Sequence, residues 1–448
     1  MANMKAYRDA QISLFQSAVS EVVETHSGNQ LLSEGGPAIP VRTTTEDPML
    51  EAVASYADAA TKEARPENAA PETLGILDGA KYCVNLSIKL GEAYGKALVG
   101  GDQQEIQRYR DQLDGKFGGC DLKWAEAAKV YANYFVLQGK SIPYRSVKTI
   151  ADPTIATPLG AKVRLAIVGD WGTGQLAART VLSQIKDKNP AVVIHLGDVY
   201  YSGTQYEFDN YFSAVWSQVF GAAPGSGSTR LFNLSGNHDM YSGGQAYYKL
   251  LDTINQPASF FCLQNDDWQF LAMDTGLHDS NPVGLGQTPT FLDPDEAEWV
   301  CGKVKGQGNR KTILLSHHQL FSGYEKIGDS PVNQSLRKQL QDVLSEITMW
   351  LWGHEHDLVI FDKYQGVYGR CIGHGAFPVG IDEPKPPILP GVPVNAEVKL
   401  DKDVSSYRHG FAIMDLDGPT AQIAYYEDSS PNTPLYQEQI AANGTVTP

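Results

Sequence analysis

The sequence predicts an α/β fold, a sandwich of two β-sheets faced by helices, which follows a helical N-terminal domain. Residues 1–150 carry apolar side chains at the 3.6-residue spacing of amphipathic helices. From about residue 159 the pattern changes, and short apolar runs of strand length alternate with helical segments. A proline-containing linker over residues 141–158 separates the two patterns. We therefore expect a helical domain over residues 1–150 and a layered α/β domain over residues 159–448.

Several segments of the N-terminal part have helical apolar spacing, and glycine pairs separate some of them. These segments are residues 7–25, 48–64, 72–98, 103–113 and 122–138. Their apolar stripes are typical of packing surfaces between helices. Three roles are open for this domain, namely covering a crevice, forming an oligomer contact and docking a partner.

The C-terminal part alternates between helices and strands, and it also contains strands that follow one another directly. The predicted elements are helices over residues 175–186, 294–304 and 333–347, a hairpin of strands over 260–263 and 268–273, and late strands over 411–414 and 422–426. The second of these helices begins with proline in its first turn, after Asp293. Some strands alternate with helices, and others follow one another directly as antiparallel pairs. A chain that contains both kinds favours two stacked sheets.

The composition limits the classes of partner. The chain has 448 residues, of which 42% are hydrophobic, so it can bury a sizeable core. Its formal net charge of -16 argues against nucleic acid as a partner, because proteins that bind nucleic acid present basic surfaces. The five cysteines form no CxxC pair, which argues against a disulfide framework or a cysteine metal site. No apolar run reaches the ~18 residues of a membrane span and no apolar signal core is evident, so we expect a cytoplasmic protein without a membrane contact.

Five apolar runs are each followed within a few residues by Asp, Asn or His. These polar residues are Asp170, Asp198, Asn237, His317 and His354. Because the carboxyl ends of parallel strands meet at one edge of a sheet, we expect these side chains to line one crevice. His356 is expected to face the same side as His354, since side chains alternate with a period of two. Oxygen and imidazole donors of this kind suit divalent or trivalent metal ions.

The donor set has the chemistry that a two-metal hydrolase needs. Two metal ions about 3.5–4 Å apart acidify a bound water and offset the charge that builds on phosphoryl oxygens. A carboxylate must reach both ions to hold them so close, and Asp170 and Asp198 are the two candidates. The other donors are the amide oxygen of Asn237 and the imidazoles of His317, His354 and His356. Bound cations would also allow an acidic protein to take a small phosphorylated substrate.

In the order GD, GD, GNHD, SHH and GHEH, these motifs resemble those of the calcineurin-like metallophosphoesterase superfamily, over roughly residues 163–377. The details are similar to the purple acid phosphatase branch. The superfamily often opens with Asp-x-His, whereas here Trp171 and Gly172 follow Asp170, and Tyr201 completes the GDxxY motif of the branch. The resemblance implies a four-layer αββα sandwich of two mixed sheets. It also implies hydrolysis of phosphate monoesters through attack by a metal-bound hydroxide.

The resemblance further implies which residues hold each ion. The first ion is expected to be Fe(III), held by Asp170, Tyr201 and His356. The second is expected to be Zn(II), Mn(II) or Fe(II), held by Asn237, His317 and His354. Asp198 is implied to bridge the two ions. A phenolate is a hard anionic donor, which favours a ferric ion at the first position.

Two neighbouring residues are implied to act on the substrate. His238 falls where the family keeps a histidine that contacts the phosphate or protonates the leaving group, and Asp239 is expected to orient its ring. The fourth motif contains two adjacent histidines, so its register is ambiguous by one residue. The spacing of the family favours His317 as the ligand over His318.

Other functions are open at this point. A phosphodiesterase of the same fold has nearly identical site chemistry, and the shape of the pocket decides between monoester and diester. A serine/threonine protein phosphatase is a weaker match, because its GDxVDRG motif has an arginine that residues 197–203 lack. A binding or scaffold protein would use the helical domain and keep a vestigial metal site.

Overall fold

The computed structural model describes the residues of the predicted α/β domain almost completely. The described residues are 10–27, 104, 107–108, 126, 129–134, 141–150, 152–279, 289–381 and 385–448. The predicted helices over residues 48–64 and 72–98 lie outside this set, as do most residues of the segments 103–113 and 122–138. The predicted helix over residues 7–25 is described from Ala10 to Ser27. The domain boundaries at residues 150 and 159 stay predictions.

Thirteen strands within the described residues form two mixed sheets. The first sheet has the order β13-β12-β11-β10-β1-β2-β3 and the second has the order β4-β5-β6-β7-β9-β8. The strands are β1 (Lys162–Val168), β2 (Val192–His195), β3 (Arg230–Asn233), β4 (Phe261–Gln264), β5 (Trp268–Ala272), β6 (Lys311–Leu315), β7 (Ile347–Trp352), β8 (Leu358–Ile360), β9 (Tyr368–Ile372), β10 (Gly410–Asp417), β11 (Thr420–Glu427), β12 (Tyr436–Ile440) and β13 (Val446–Thr447). The predicted hairpin is confirmed as β4 and β5, and the predicted late strands as β10 and β11.

The helices of the described residues flank these strands. They are α1 (Ala10–Ser27), α2 (Val147–Ile150), α3 (Leu176–Asp187), α4 (Gln205–Glu207), α5 (Ala214–Phe220), α6 (Asn237–Met240), α7 (Gln245–Thr253), α8 (Pro294–Lys305) and α9 (Gln334–Leu340), and a π-helical segment (Phe208–Ser213) joins α4 to α5. The helix predicted over residues 333–347 is too long, because the chain turns after Leu340 and enters β7 at Ile347. Among the described residues, none of the helices combines the length and apolar character needed to cross a bilayer.

The two sheets stack through a shared apolar core. Ile167 and Ile194 of the first sheet are fully buried in this core together with Ile313 and Leu351 of the second. The alternate residues of these strands face helices, so the central strands are buried on both faces and have nearly continuous apolar sequences. In β11 and β12, by contrast, buried residues alternate with more exposed ones. On the outer side of the first sheet the core contains α3, α5 and α7, and on that of the second it contains α8 and α9. The predicted αββα sandwich is confirmed.

Parallel pairing brings the polar ends of the strands together. In the first sheet β1, β2 and β3 are parallel neighbours. In the second sheet β5, β6, β7 and β9 are parallel neighbours. Each sheet therefore presents the carboxyl ends of several strands at one edge, and the motifs found in the sequence follow those ends.

A buried ion pair connects the two sheets on one side of the sandwich. Arg370 in β9 donates from Nε to Glu438 Oε1 over 2.8 Å and from Nη2 to Glu438 Oε2 over 2.5 Å. Tyr425 donates a hydrogen bond of 2.6 Å to the same carboxylate from β11. Arg370 and Glu438 are each at most 3% exposed. Removing one partner would leave the other charge buried without compensation.

We expect Arg370→Met to lower the free energy of unfolding by about 3–5 kcal/mol, because the Glu438 carboxylate would lose its counterion inside the protein. Denaturant unfolding monitored by circular dichroism measures this change. Arg164→Met is the matched control, since Arg164 pairs with Asp415 at the surface with both side chains more than 40% exposed. That pair should contribute at most about 1 kcal/mol. Equal losses in the two variants would contradict the prediction.

Candidate metal centre

Two groups of buried side chains lie where the carboxyl ends of the strands meet. One group contains Asp170, Asp198 and His356, and the other contains His317, His318 and His354. Within each group the ligand atoms lie within 4.8 Å of one another. Every one of these side chains is at most 8% exposed. The predicted convergence of the strand-end motifs is therefore what the structure shows.

The phenol of Tyr200 lies in the centre of the first group. Its hydroxyl oxygen is 2.7 Å from Asp170 Oδ1, 2.9 Å from Asp198 Oδ2 and 2.7 Å from His356 Nε2. The His356 Nε2 atom is also 3.3 Å from Asp170 Oδ1. Four oxygen and nitrogen donors thus converge from three different strand ends.

The phenol at this position is not that of Tyr201, the residue implied by the GDxxY motif. Tyr200 is 2% exposed, whereas Tyr201 is only partly buried. What Tyr201 contributes near the site is its backbone, because its carbonyl oxygen lies 2.5 Å from Nδ1 of His238. In this geometry the phenol among the candidate ligands is therefore that of Tyr200, and the ligand role of Tyr201 stays a prediction.

The second group is centred on His317. Its Nε2 lies 3.3 Å from Asp198 Oδ2 and 3.2 Å from His354 Nδ1. Its Nδ1 lies 3.0 Å from the carbonyl oxygen of Leu196. Because a carbonyl can only accept, Nδ1 must carry the proton, which leaves the Nε2 lone pair available to a metal ion. Asp198 Oδ2 therefore lies between the two groups, in contact with Tyr200 on one side and His317 on the other.

His318 contacts other side chains with both of its ring nitrogens. Nδ1 is 3.0 Å from Thr275 Oγ1, and Nε2 is 2.9 Å from Asp279 Oδ2. Its ring also packs against that of His354, with centroids 4.4 Å apart. The histidine whose free nitrogen faces Asp198 is His317, as the family spacing favours. His318 therefore packs against the ring of His354.

Asn237 has an oxygen that lacks a protein partner. Its Nδ2 donates a hydrogen bond of 2.6 Å to the hydroxyl of Tyr241, which fixes the orientation of the amide. Its Oδ1 is buried and has no hydrogen-bond partner among the described residues. Buried polar atoms are nearly always paired, so an orphaned amide oxygen next to these groups fits a metal ligand. The position of Asn237 in α6, directly after β3, agrees with the predicted role.

Asp239 supports the backbone of the site rather than the ring of His238. Its Oδ2 accepts hydrogen bonds from the amides of Gly236 (2.8 Å) and Asp198 (2.9 Å), and its Oδ1 accepts one from Val199 (3.0 Å). His238 Nδ1 faces the Tyr201 carbonyl instead. The orienting role of Asp239 toward this ring stays a prediction. A carboxylate with three backbone donors around it holds the ends of β2 and β3 together.

The charges of the site require a positive partner. The only ion-pair partners of Asp170 and Asp198 in the described part of the chain are histidines. Burial alone would raise the pKa of Asp198, but the adjacent imidazolium charges of His317 and His238 hold that pKa well below its usual range. Burial would lower the pKa of His317, but the Asp198 carboxylate raises it to about 9. Buried carboxylates are stabilised by bound cations as well, and cations would relieve this excess of negative charge.

The backbone is shaped for close approach of the ligands. A Cβ on Gly236 would lie 1.9 Å from Asp198 Oδ1, and one on Gly353 would lie 2.6 Å from Asp170 Oδ2, so neither position tolerates a larger residue. Four of the candidate ligands have left-handed backbones, namely Asp170 (φ 56°), Asp198 (φ 76°), His354 (φ 68°) and His356 (φ 48°). For residues other than glycine such backbones cost on the order of 1–3 kcal/mol each and concentrate at functional sites. The ligand set, its charge and its backbone fit a pair of metal ions.

A model of the calcineurin-like phosphoesterase family matches residues 163–358. This part of the chain is a calcineurin-like phosphoesterase domain. It begins in β1 and ends in β8, and β9 to β13 complete the two sheets beyond it. The chain thus carries a metallophosphoesterase domain, which implies a dinuclear metal site, and the two buried groups are its candidate ligands.

Several solved structures are similar in fold. GAP50, the anchor in the inner membrane complex of Plasmodium, is 16% identical with a TM-score of 0.43, over 62% of this chain and 87% of that chain. A dimetal phosphatase from Danio rerio is 12% identical with a TM-score of 0.40, over 59% and 96%. PhoD is 10% identical with a TM-score of 0.40, over 66% and 72%. No curated protein is significantly similar to the chain.

Proposed function

We propose that this protein hydrolyses phosphate monoesters of small molecules with a dinuclear metal centre similar to that of purple acid phosphatases. The observation that carries the proposal is the phenol of Tyr200 between Asp170, Asp198 and His356. Three hard oxygen donors and one imidazole favour Fe(III) at this position. The neutral set of Asn237, His317 and His354 favours Zn(II), Mn(II) or Fe(II) at the second position.

Three residues of the chain would bind the metal ions or hold their ligands in place. Two bound metal ions supply an acidified water and offset charge on the phosphoryl oxygens. Asp198 would hold both ions, since its Oδ2 contacts both groups of side chains. His317 is kept in the correct tautomer by the Leu196 carbonyl. Asp239 keeps the turn around Asp198 in place through its backbone hydrogen bonds.

His238 is proposed to act on the substrate. Its Nδ1 faces the Tyr201 carbonyl at 2.5 Å, so the proton is on Nδ1 in the neutral ring and Nε2 faces the site. Nε2 lies 3.9 Å from Asp198 Oδ2, beyond a direct hydrogen bond and close enough to reach a phosphoryl or leaving-group oxygen beside the metal ions. We propose that in the imidazolium form, with a proton on each nitrogen, Nε2 contacts the phosphate or gives its proton to the leaving alkoxide, and the ring then takes up a proton from solvent.

The assay that tests the proposal compares p-nitrophenyl phosphate with bis(p-nitrophenyl) phosphate, after reconstitution with iron and zinc or with manganese. The proposed phosphatase prefers the monoester. A preference for the diester would contradict the monoester proposal and assign a phosphodiesterase with the same metal centre. A metal-loaded protein that cleaves neither ester would contradict the enzymatic proposal and favour a scaffold with a vestigial site.

We expect Tyr200→Phe to abolish the visible phenolate-to-iron absorption of the Fe(III)-loaded protein, because the phenol that lies between Asp170, Asp198 and His356 would be lost. Tyr201→Phe is the matched control and should keep the band, since its contact with the site is made by its backbone. Visible spectra of the two iron-loaded variants measure the difference. Loss of the band in Tyr201→Phe alone would restore the GDxxY assignment, and a colourless wild type would contradict Fe(III).

A further inference from the structure

Helix α1 is buried on its polar side as well as on its apolar side. Leu14, Phe15 and Val19 are fully buried, as expected of a packing helix. Ser17 and Glu24, which stand two helical turns apart and so on one face, are only 1% and 4% exposed. Polar side chains are rarely buried without a partner, so the partners of these two residues show what the helix contacts.

The shorter contact of Ser17 is with a carboxylate outside α1, and the Ser17 hydroxyl also lies 3.1 Å from the carbonyl oxygen of Ser13 within the helix. Ser17 donates a hydrogen bond of 2.7 Å to Oε1 of Glu207, the last residue of α4. Glu207 also accepts hydrogen bonds from the backbone amides of Tyr201, Ser202 (3.1 Å) and Thr204 (3.0 Å). One buried carboxylate thus accepts hydrogen bonds from three backbone amides of the turn that directly follows Tyr200.

The partners of Glu24 lie just beyond this turn. Glu24 accepts hydrogen bonds of 2.8 Å from the hydroxyls of Tyr206 and Tyr211. Tyr206 belongs to α4 and Tyr211 to the π-helical segment. One face of α1 thus carries a donor, Ser17, and an acceptor, Glu24, and both bind the segment that leads from the metal centre into α5.

We propose that α1 is a positioning element of the metal centre: Ser17, through Glu207, fixes the turn that presents the Tyr200 phenol and the Tyr201 carbonyl to the site. The turn has no regular secondary structure, so its shape depends on these side-chain acceptors. This inference rests on the proposed metal centre, and it assigns part of the N-terminal region a role in the site. Ser17 and Glu207 are positioning residues that act through Tyr200 and His238.

The test compares Ser17→Ala with Ser20→Ala in the full-length protein. The Ser20 hydroxyl lies one turn further along α1, is buried, and has no hydrogen-bond partner among the described residues, which makes it a matched control. Free Mn(II) is titrated against each protein and followed by electron paramagnetic resonance at a temperature where circular dichroism shows both to be folded. We expect Ser17→Ala to weaken Mn(II) binding by about tenfold, the equivalent of one hydrogen bond to a charged group, and Ser20→Ala to bind as wild type does.

A second variant changes Glu207, the acceptor of the hydrogen bond from Ser17. Glu207→Gln places an amide nitrogen against backbone donors, so Mn(II) affinity is expected to fall more than in Ser17→Ala. If Glu207→Gln does not fold, Ser17→Ala decides alone. A Ser17→Ala protein that is less stable but binds Mn(II) as wild type does would overturn the proposal, because a purely structural contact would behave in this way. If wild type binds Mn(II) but cleaves neither nitrophenyl ester, the proposed function fails, while the role of α1 is still decided by the affinities.

Discussion

Asp198→Asn is expected to remove metal from both positions of the centre and to abolish turnover with it. Asp198 Oδ2 is 2.9 Å from the Tyr200 hydroxyl and 3.3 Å from His317 Nε2, so it is the carboxylate shared by the two groups. Asparagine preserves the shape of the side chain and removes the negative charge. Since loss of a mere supporting partner weakens metal binding by about 10–100-fold, loss of a bridging ligand should weaken it further at both positions.

The measurement is the metal content of the dialysed variant by elemental analysis, beside turnover of p-nitrophenyl phosphate. Asp415→Asn is the matched control, because Asp415 is 41% exposed and pairs with Arg164 at the surface. The control should retain both ions. Full metal content in Asp198→Asn would rule out a bridging role, and the loss of one ion alone would assign Asp198 to a single position.

His238→Ala is expected to leave the metal ions bound and to slow turnover by about 10²–10⁴-fold, the usual contribution of a positioned acid or base. The ring of His238 does not complete either group of ligand atoms, and Tyr200 packs beside it with ring centroids 4.6 Å apart. Its removal should therefore affect the substrate and spare the ligands.

Two substrates separate the roles proposed for His238. An alkyl phosphate has a poor leaving group and needs a proton donor, whereas p-nitrophenolate leaves without one. A larger loss for the alkyl ester assigns His238 to leaving-group protonation, and equal losses assign it to phosphate binding. Turnover that is unchanged with both substrates would remove His238 from the mechanism.

The positions of most candidate ligands were predictable from the sequence, because parallel sheets impose a simple geometry. An apolar run that is buried on both faces and followed by a polar residue must deliver that residue at the carboxyl edge of the sheet. Asp170, Asp198 and His317 follow this rule, and the structure brings them together. The αββα layering was predictable for a similar reason, since strands that are apolar on both faces need a second sheet on one side and helices on the other.

The details of the loops were not predictable from local patterns. The turn that follows Tyr200 donates its backbone amides to Glu207, and Glu207 also accepts a hydrogen bond from Ser17, 190 residues away in the sequence. One local signal was present, because Thr204 and Glu207 have the spacing of a capping box, which the structure contains. Asp239 likewise belongs to the GNHD motif, but it accepts hydrogen bonds from the backbone of the loop after β2, and this contact is visible only in the fold.

We propose that side chains from separate strand ends bind two cations, which share the carboxylate of Asp198. Diffraction from Mn(II)-soaked crystals at the manganese absorption edge tests this arrangement of the two ions most directly. We predict two anomalous peaks about 3.5–4 Å apart on either side of Asp198, one beside Tyr200 and the other beside His317. A single peak, or peaks away from Asp198, would contradict the account.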